Sequence, residues 1–541
     1  MPSIPSRPGF WPLVILALSL LAFAATAGHA IARPGLDYDE LLFVNAATGG
    51  ENPSFIYRRL FGVPVLLMEY IGALKAYLYT PIFALFGVSA ATIRWPAIVI
   101  SMGSITLTYA LARLSLPPMA AATAAALLAL DPVFVLLTKV DYGPIALMVL
   151  LKLTALYCVY RSLATGSAAL LWGAVAACAL GLFDKLNFIW FVLALLPTTL
   201  LLFRPELASM YRRDGARLVA SIGTLGLLVL AVGLRHIAPL FLASQESDRG
   251  IIARIPPLLA GYAAAMDGRA VYQWLTESPL RHPTVINYAT LAALLLLGRA
   301  WWQRARTARS SPRLPLADRM VLGYGLLFVL IGAQIVITER AGGPHHMMML
   351  SPFPLLLLTA ALAELAGTPS RLRRGAALLL LGALALSDLR VTHAYAQVYQ
   401  TEERLRPRLS PVIYQLSAFL NSEEADRIIF VDWGMHNQAY ALGTLRTRRA
   451  CRDMWLTFRE PILPGRSADL LAREFGSGRV LVIMHPRSAD SGVGAQDRFL
   501  QWADSHNLVL QPVRTFRDRG GRVLYQASVI QRPGESARSP T

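Results

Sequence analysis

Eleven long apolar runs dominate the chain and leave few folds open to it. They cover about 11–31, 92–112, 118–138, 143–161, 168–183, 186–203, 217–235, 284–301, 320–338, 347–366 and 375–393. A hydrocarbon core about 30 Å thick takes about 20 apolar residues of helix to cross, and most of the runs meet that length, the fifth and sixth being short. Inside a bilayer each backbone N–H and C=O must be satisfied within the spanning structure, so the runs are expected to be helices. Only 16% of the 541 residues are charged, whereas about 25% is usual for a soluble protein. The sequence therefore reads as an α-helical polytopic membrane protein.

The formal net charge of +18 would suit a nucleic-acid partner, but its placement points elsewhere. Arg113, Arg161, the group Arg204, Arg212, Arg213 and Arg217, the group from Arg299 to Arg319, and the group Arg371, Arg373 and Arg374 fall in alternate turns. The opposite short turns hold little beyond Lys139, Lys185 and Arg340. The positive-inside rule puts the N-terminus and the arginine-rich turns in the cytoplasm and, with eleven spans, the C-terminus outside. No run of basic residues interleaved with aromatics tracks a phosphate backbone, so no nucleic acid is expected. Cys158 and Cys178 lie inside apolar runs and Cys451 stands alone, which gives neither a disulfide framework nor a zinc spacing. Arg7, an apolar core and Ala25-Thr26-Ala27 resemble a signal peptide. The run is long for that, and a retained anchor is expected.

The stretch Arg58 to Val88 is apolar but interrupted by Glu69 and Lys75. A span here would flip every later loop, so one or two interfacial helices carrying Tyr70, Tyr77 and Tyr79 are expected, within a first outer loop of about 32–91. A second large outer loop, about 236–283, carries Glu246, Asp248, Arg249 and Pro256-Pro257 and suits a lid or substrate-contacting element. After about residue 394 the composition changes. Strands are expected at 427–432, 479–484, 508–517 and 522–528, helices near 409–421, 466–475 and 495–505, and a hairpin turn at Gly520-Gly521. The expected organisation is a transmembrane domain, 1–393, and an extracytoplasmic α/β domain, 394–541, ending in a disordered stretch from Arg532.

Polar residues that could do chemistry gather at outer helix ends. Asp37, Asp39 and Glu40 follow directly on the first run. Under the topology above, Asp131, Lys139, Asp141, Asp184, Lys185, Asn187, Arg340, His345 and His346 face the same side. Ionisable groups at membrane depth usually face a cavity. Plainer readings stand beside this one. The acidic stretch can be a solvated helix end, Asp131 before Pro132 can cap a break in its helix, and Asp184-Lys185 can be a neighbouring ion pair. Adjacent histidines point to different faces of a helix, and a third ligand at recognisable spacing is missing, so no metal site is assigned. Asp37-Tyr38-Asp39 is an Asp-x-Asp pattern of the kind that binds a divalent cation beside a phosphate, the one cofactor left open.

A first span followed by Asp39-Glu40, a long outer loop, many spans and an outer soluble domain resembles the C-type membrane glycosyltransferases of family 39. Its bacterial relatives include protein O-mannosyltransferases, lipid A aminoarabinose transferases and lipopolysaccharide-core sugar transferases. Tyr70-Ile71-Gly72-Ala73-Leu74, Phe86-Gly87, Arg94 and Pro96 are similar to the family's interfacial helix and second span. Leu182-Phe183-Asp184-Lys185 resembles its lysine turn, with Leu186 in place of the usual glycine, and His345-His346 departs from the family pattern. The resemblance implies inverting transfer of a hexose or pentose from a polyprenyl-phosphate donor to a lipid, glycan or protein acceptor, at the outer face of a bacterial inner membrane. Asp39 would be the general base, with Asp37 and Glu40 beside it. Lys139, Lys185, Arg58, Arg59 and Arg340 would be candidates to hold the phosphate, and Asp141, His345 and His346 further substrate contacts. A lipid or solute transporter, or a membrane scaffold whose outer domain binds a partner, are the alternatives.

Overall fold

The structure, a computed structural model, describes residues 9–48, 55–68, 70–232, 251–307, 314–338, 343–402, 404–459, 466–486 and 494–532. Of the residues named above, Arg7, Glu69, Glu246, Asp248, Arg249 and Arg340, and the segment 533–541, lie outside that set.

Helix α1 (Phe10–Gly28) leads into the acidic stretch, where Asp39–Leu41 forms one 3-10 turn before α2 (Leu42–Thr48). Next come β1 (Arg58–Leu60), β2 (Val63–Leu66) and α3 (Leu74–Phe86). The first nine residues of the region expected to hold interfacial helices thus form an antiparallel hairpin. Phe61 and Gly62 turn it with φ of 50° and 81°, the two positive values that a tight two-residue hairpin turn requires.

The first bundle of helices is α4 (Ala90–Ala112), α5 (Pro118–Leu130), α6 (Pro132–Val140), α7 (Ile145–Thr165), α8 (Ala169–Asp184), α9 (Ile189–Leu202) and α10 (Arg204–Val232). Among the described residues six helices are long and apolar enough to cross a membrane, or seven if α5 and α6, bent by 57°, count as one span. Asp131 caps that break. Its Oδ1 accepts from the N–H of Val133 at 2.9 Å and of Phe134 at 3.3 Å, while Pro132 has no N–H to continue the preceding helix. Shorter apolar helices, among them Ile255–Met266 and Phe353–Ala366, complete the set. The tenth apolar run is unwound between the short helix Pro344–Met347 and the helix that begins at Phe353. Within α7, buried Lys152 donates from Nζ to the carbonyls of Met348 at 3.3 Å and Met349 at 2.7 Å, and to that of Ser351. An unwound segment at membrane depth leaves its carbonyls without helical partners, and this ammonium supplies donors.

At the arginine-rich end Arg304 pairs with Asp318 at 3.0 Å and with Glu364, and Arg319 pairs with Glu206. At the other end the helix Arg371–Thr401 runs on into the C-terminal domain. That domain is built on a mixed sheet of β3 (Arg427–Phe430), β4 (Cys451–Asp453), β5 (Val480–Met484), β6 (Val509–Arg517) and β7 (Val523–Gln531). The strand order is β4-β3-β5-β7-β6, parallel across β4, β3 and β5 and antiparallel from β5 to β6. Ile428, Phe430, Leu481 and Ile483 face one apolar layer, and Ile429, Val431, Val482 and Met484 the other. Burial on both faces is why β3, after Arg427, and β5 read as unbroken apolar runs. Strand β4 is new to the reading. At three residues it is too short to show a period.

Arg33 pairs with Glu402 at 3.1 Å, and Asn45 Nδ2 donates to Asn437 O at 3.1 Å. The first loop and the C-terminal domain therefore lie on one side of the helices, away from the Arg304 and Arg319 network. Reporter fusions at Gly215 and Ser310 are expected to give a cytoplasmic signal, and one at Ser422 an external signal. A cytoplasmic signal at Ser422 would overturn this orientation.

Candidate active site

The acidic loop is held at nearly every peptide. Arg94 of α4, fully buried, forms a fork with Glu40: Nε to Oε1 at 2.7 Å and Nη2 to Oε2 at 2.9 Å. Its remaining donors bind the carbonyls of Ile31 at 2.7 Å, Pro34 at 2.8 Å and Gly35 at 3.3 Å. Glu40 Oε2 also accepts from the N–H of Asp37 at 3.2 Å, and Asp37 Oδ1 accepts from the N–H of Asp39 at 3.0 Å. This last contact is an aspartate turn, a local reason for aspartate at that position. A Cβ on Gly35 would meet Ser410 O at 2.3 Å, so only glycine lets the loop approach the C-terminal domain this closely.

Asp39 is left half-buried at the open side of this frame. The Tyr142 hydroxyl lies beside it, and it stands in the field of Arg408 and Lys185. Tyr142 connects the site. Its ring meets Trp274 at 4.9 Å and His345 at 4.8 Å, and the His345 and His346 rings are 4.0 Å apart. Asn187 Nδ2 and His346 Nδ1 are in hydrogen-bond contact at 3.0 Å. The Arg408 guanidinium sits 5.7 Å from the Trp274 ring and 5.6 Å from the Trp433 ring.

The lysine turn reaches this place through a second close approach. Gly72 donates to Asp184 O at 2.9 Å, and Leu186 N–H donates to Tyr70 O at 2.9 Å. A Cβ on Gly72 would lie 1.5 Å from Phe183 O. Lys185 Nζ ends 3.2 Å from where Gly143, at φ +60°, would carry a Cβ.

Burial sets the electrostatics. Asp37 is pushed up to about 7 by burial and then by the charge of Asp39. Burial also raises Asp39, while Tyr142, Arg408 and Lys185 oppose it. Lys185 is pushed down to about 8 by burial, against the pull of Asp184, Asp141 and Asp39. Burial and the charge of Lys185 hold His345 well below the usual histidine range and His346 down at about 3, so both rings are neutral at pH 7. Lys185 Nζ, Asp37 Oδ2, His345 Nδ1, Trp274 Nε1 and Arg408 Nε are buried without a hydrogen-bond partner among the described residues. Buried polar groups are nearly always satisfied, so this concentration marks a place for water or a ligand.

Of the residues singled out from sequence, the structure brings Asp37, Asp39, Lys185, His345 and His346 together. Others it engages elsewhere. Both oxygens of Glu40 are taken by Arg94, which gives it the work of holding the loop. Asp141 accepts from the Ala146 N–H at 2.9 Å through Oδ1 and pairs through Oδ2 with Lys75, whose ammonium lies 3.3 Å from the Phe43 ring centroid. Lys139 donates to the carbonyls of His29 at 2.7 Å and Ala30 at 3.2 Å, just past the end of α1, where a cation complements the helix dipole. Arg58 and Arg59 stand exposed on the hairpin. Arg340 lies outside the described residues. Asp184 and Lys185 do not pair, since both Asp184 oxygens lack a hydrogen-bond partner among the described residues. No group of three or more His, Cys, Asp or Glu placed to hold a metal ion occurs among the described residues.

Sequence reasoning missed Tyr142, Trp274, Arg408 and Trp433. Tyr142 directly follows Asp141 and could have been found from the cluster at that turn. Arg408 and Trp433 lie beyond residue 394, and nothing in the linear sequence ties them to Asp39.

Comparisons with known proteins agree with this architecture. Residues 73–234 match the family described as dolichyl-phosphate-mannose-protein mannosyltransferase. The structure is similar to that of ArnT from Cupriavidus metallidurans bound to undecaprenyl phosphate, with a TM-score of 0.54 and 14% identity, covering 96% of this chain and 98% of that one. It is also similar to the oligosaccharyltransferase of Archaeoglobus fulgidus in its apo form, with a TM-score of 0.55 and 12% identity, covering 96% of this chain and 75% of that one. The archaeal enzyme AglB in complex with an inhibitory peptide and a dolichol-phosphate gives a TM-score of 0.50 at 11% identity, covering 95% of this chain and 74% of that one. No curated protein matches the sequence. The fold is that of the C-type membrane glycosyltransferases, and the protein is multi-pass.

Proposed function

We propose that the protein transfers a sugar, with inversion, from a polyprenyl-phosphate carrier to a hydroxyl of a lipid, glycan or protein acceptor. The reaction would take place at the outer face of a bacterial inner membrane, with the domain of residues 394–541 in the periplasm. The observation that carries this is the position of Asp39. It is a half-buried carboxylate at the helix ends, beside Tyr142 and in the field of two cations, Arg408 and Lys185. The undecaprenyl phosphate bound to ArnT and the dolichol-phosphate bound to AglB support a lipid-phosphate donor.

In this reading the acceptor oxygen attacks the anomeric carbon and gives its proton to Asp39. The bond from that carbon to the phosphate oxygen breaks on the opposite face. The donor phosphate carries one negative charge and departs with two, so a positive group helps most as the bond breaks. Lys185 is the candidate for this. It has no hydrogen-bond partner among the described residues, and a compact ammonium suits a phosphate. His345 and His346, neutral at pH 7, can donate hydrogen bonds without competing as bases. A transporter would gather its polar groups near the bilayer midplane, whereas these lie at one end of the helices.

Lys185→Ala is expected to weaken binding of polyprenyl phosphate and to lower turnover by about 10²-fold, the scale of removing one charge-stabilising donor. Lys185→Arg should recover part of both. Binding and turnover of Lys185→Ala equal to the parent protein would remove Lys185 from the phosphate site.

A further inference from the structure

The C-terminal domain grips the acidic loop from outside as closely as Arg94 does from within. Gly35 N–H donates to Leu409 O at 2.6 Å. The carbonyls of Ala32, Leu36 and Tyr38 accept from the Tyr414 hydroxyl at 3.1 Å, Gln438 Nε2 at 3.2 Å and Asn437 Nδ2 at 3.3 Å. Trp433 differs from these contacts in having two partners. Its ring meets the Tyr38 ring at 4.9 Å, and the Arg408 guanidinium stands 5.6 Å from its centroid. Tyr38 is the residue between Asp37 and Asp39 in the chain, and Arg408 acts on both carboxylates.

We propose that Trp433 is a positioning residue for the transfer reaction: it holds Tyr38 on one side and Arg408 on the other, so that the C-terminal domain sets Asp39 against the reacting sugar. The inference rests on the reading of Asp39 as the base. Trp433 does not fill the domain's own core. It is half-exposed and belongs to neither apolar layer of the sheet. Arg408 makes no ion pair among the described residues, and the indoles of Trp274 and Trp433 flank its guanidinium. Turning Tyr38 would move the carboxylates on either side of it. A displacement of about 1 Å at a reacting group costs on the order of 10²-fold in rate. The C-terminal domain is then a working part of the active site rather than an appended binding module.

The test uses the full chain in liposomes. Turnover is measured with cell-extracted polyprenyl-phosphate sugars and cell-envelope extract as acceptor, and affinity with undecaprenyl phosphate. Trp433→Ala is expected to lower kcat by about 10- to 10²-fold with affinity for undecaprenyl phosphate unchanged, and Trp433→Phe to recover most of the rate. Arg408→Ala added to Trp433→Ala should cost less than the two losses combined, as expected for residues that act through one contact. An unaltered kcat, or a parallel loss of kcat and affinity in both Trp433 variants, would overturn the proposal. Asp39→Asn is measured beside them. If it turns over normally while Trp433→Ala loses kcat alone, only the assignment of the base falls. If Asp39→Asn is impaired and Trp433→Ala is not, only the positioning role falls.

Discussion

Asp39→Asn is expected to lower turnover by about 10²-fold or more, the contribution typical of a general base, with little change in polyprenyl-phosphate binding. Asparagine keeps the shape, but it cannot take the acceptor's proton. Asp37→Asn should cost less, because Asp37 is fully buried and its Oδ1 is occupied by the Asp39 N–H. Since burial raises both carboxylates, the acid side of the pH–rate profile should lie above the ordinary carboxylate range. The base works deprotonated, so activity is present above that raised range and is lost as pH falls through it. The two titrate as a pair, and the profile reports the pair rather than either residue. The measurement is transfer rate against pH in liposomes, with donor binding determined for each variant. A folded Asp39→Asn protein with the parent rate would move the base to Asp37, because Glu40 and Asp141 are already engaged by Arg94 and Lys75.

Arg94→Ala is expected to destabilise the protein by about 3–5 kcal/mol, the usual cost of breaking a buried ion pair by removing one partner. Arg94 and Glu40 are both fully buried, and without the guanidinium the Glu40 carboxylate is left uncompensated. Three loop carbonyls would lose their donor at the same time. Arg94→Lys keeps the charge but not the planar fork, and should recover only part of the stability. Adding Glu40→Gln to Arg94→Ala should restore some of the loss, since the stranded charge is then gone. Thermal unfolding in detergent is the readout, and a parent-like melting temperature for Arg94→Ala would show that the C-terminal domain holds the loop unaided.

Much of the molecule is written in local patterns. Length and apolarity alone made the spanning runs helices, because the bilayer offers a backbone no other partner. The central strands β3 and β5 of the C-terminal domain were legible for a related reason: burial on both faces leaves runs such as Val480 to Met484 without a polar residue. Asp131 before Pro132 announced its own break. The hairpin at 58–66 was not legible, because a short, largely exposed pair of strands shows no clear period and Phe61-Gly62 is not a usual turn pair.

The site divides in the same way. Asp37, Asp39 and Lys185 stand out because charge beside a membrane span is costly and therefore rare. Which of the charged groups stay available was decided only in three dimensions. Glu40, Asp141 and Lys139 looked as free in the sequence as Asp39, yet each meets its partner across the fold, in Arg94, Lys75 and the carbonyls of His29 and Ala30. Arg408 and Trp433 reach Asp39 from nearly four hundred positions away in the chain. By itself the sequence determined the helices and the acidic loop, since these follow from each segment's own encounter with lipid or water. The tertiary structure alone decided which charges are neutralised and which are left without a partner, because pairing depends on distances between segments that no local pattern encodes.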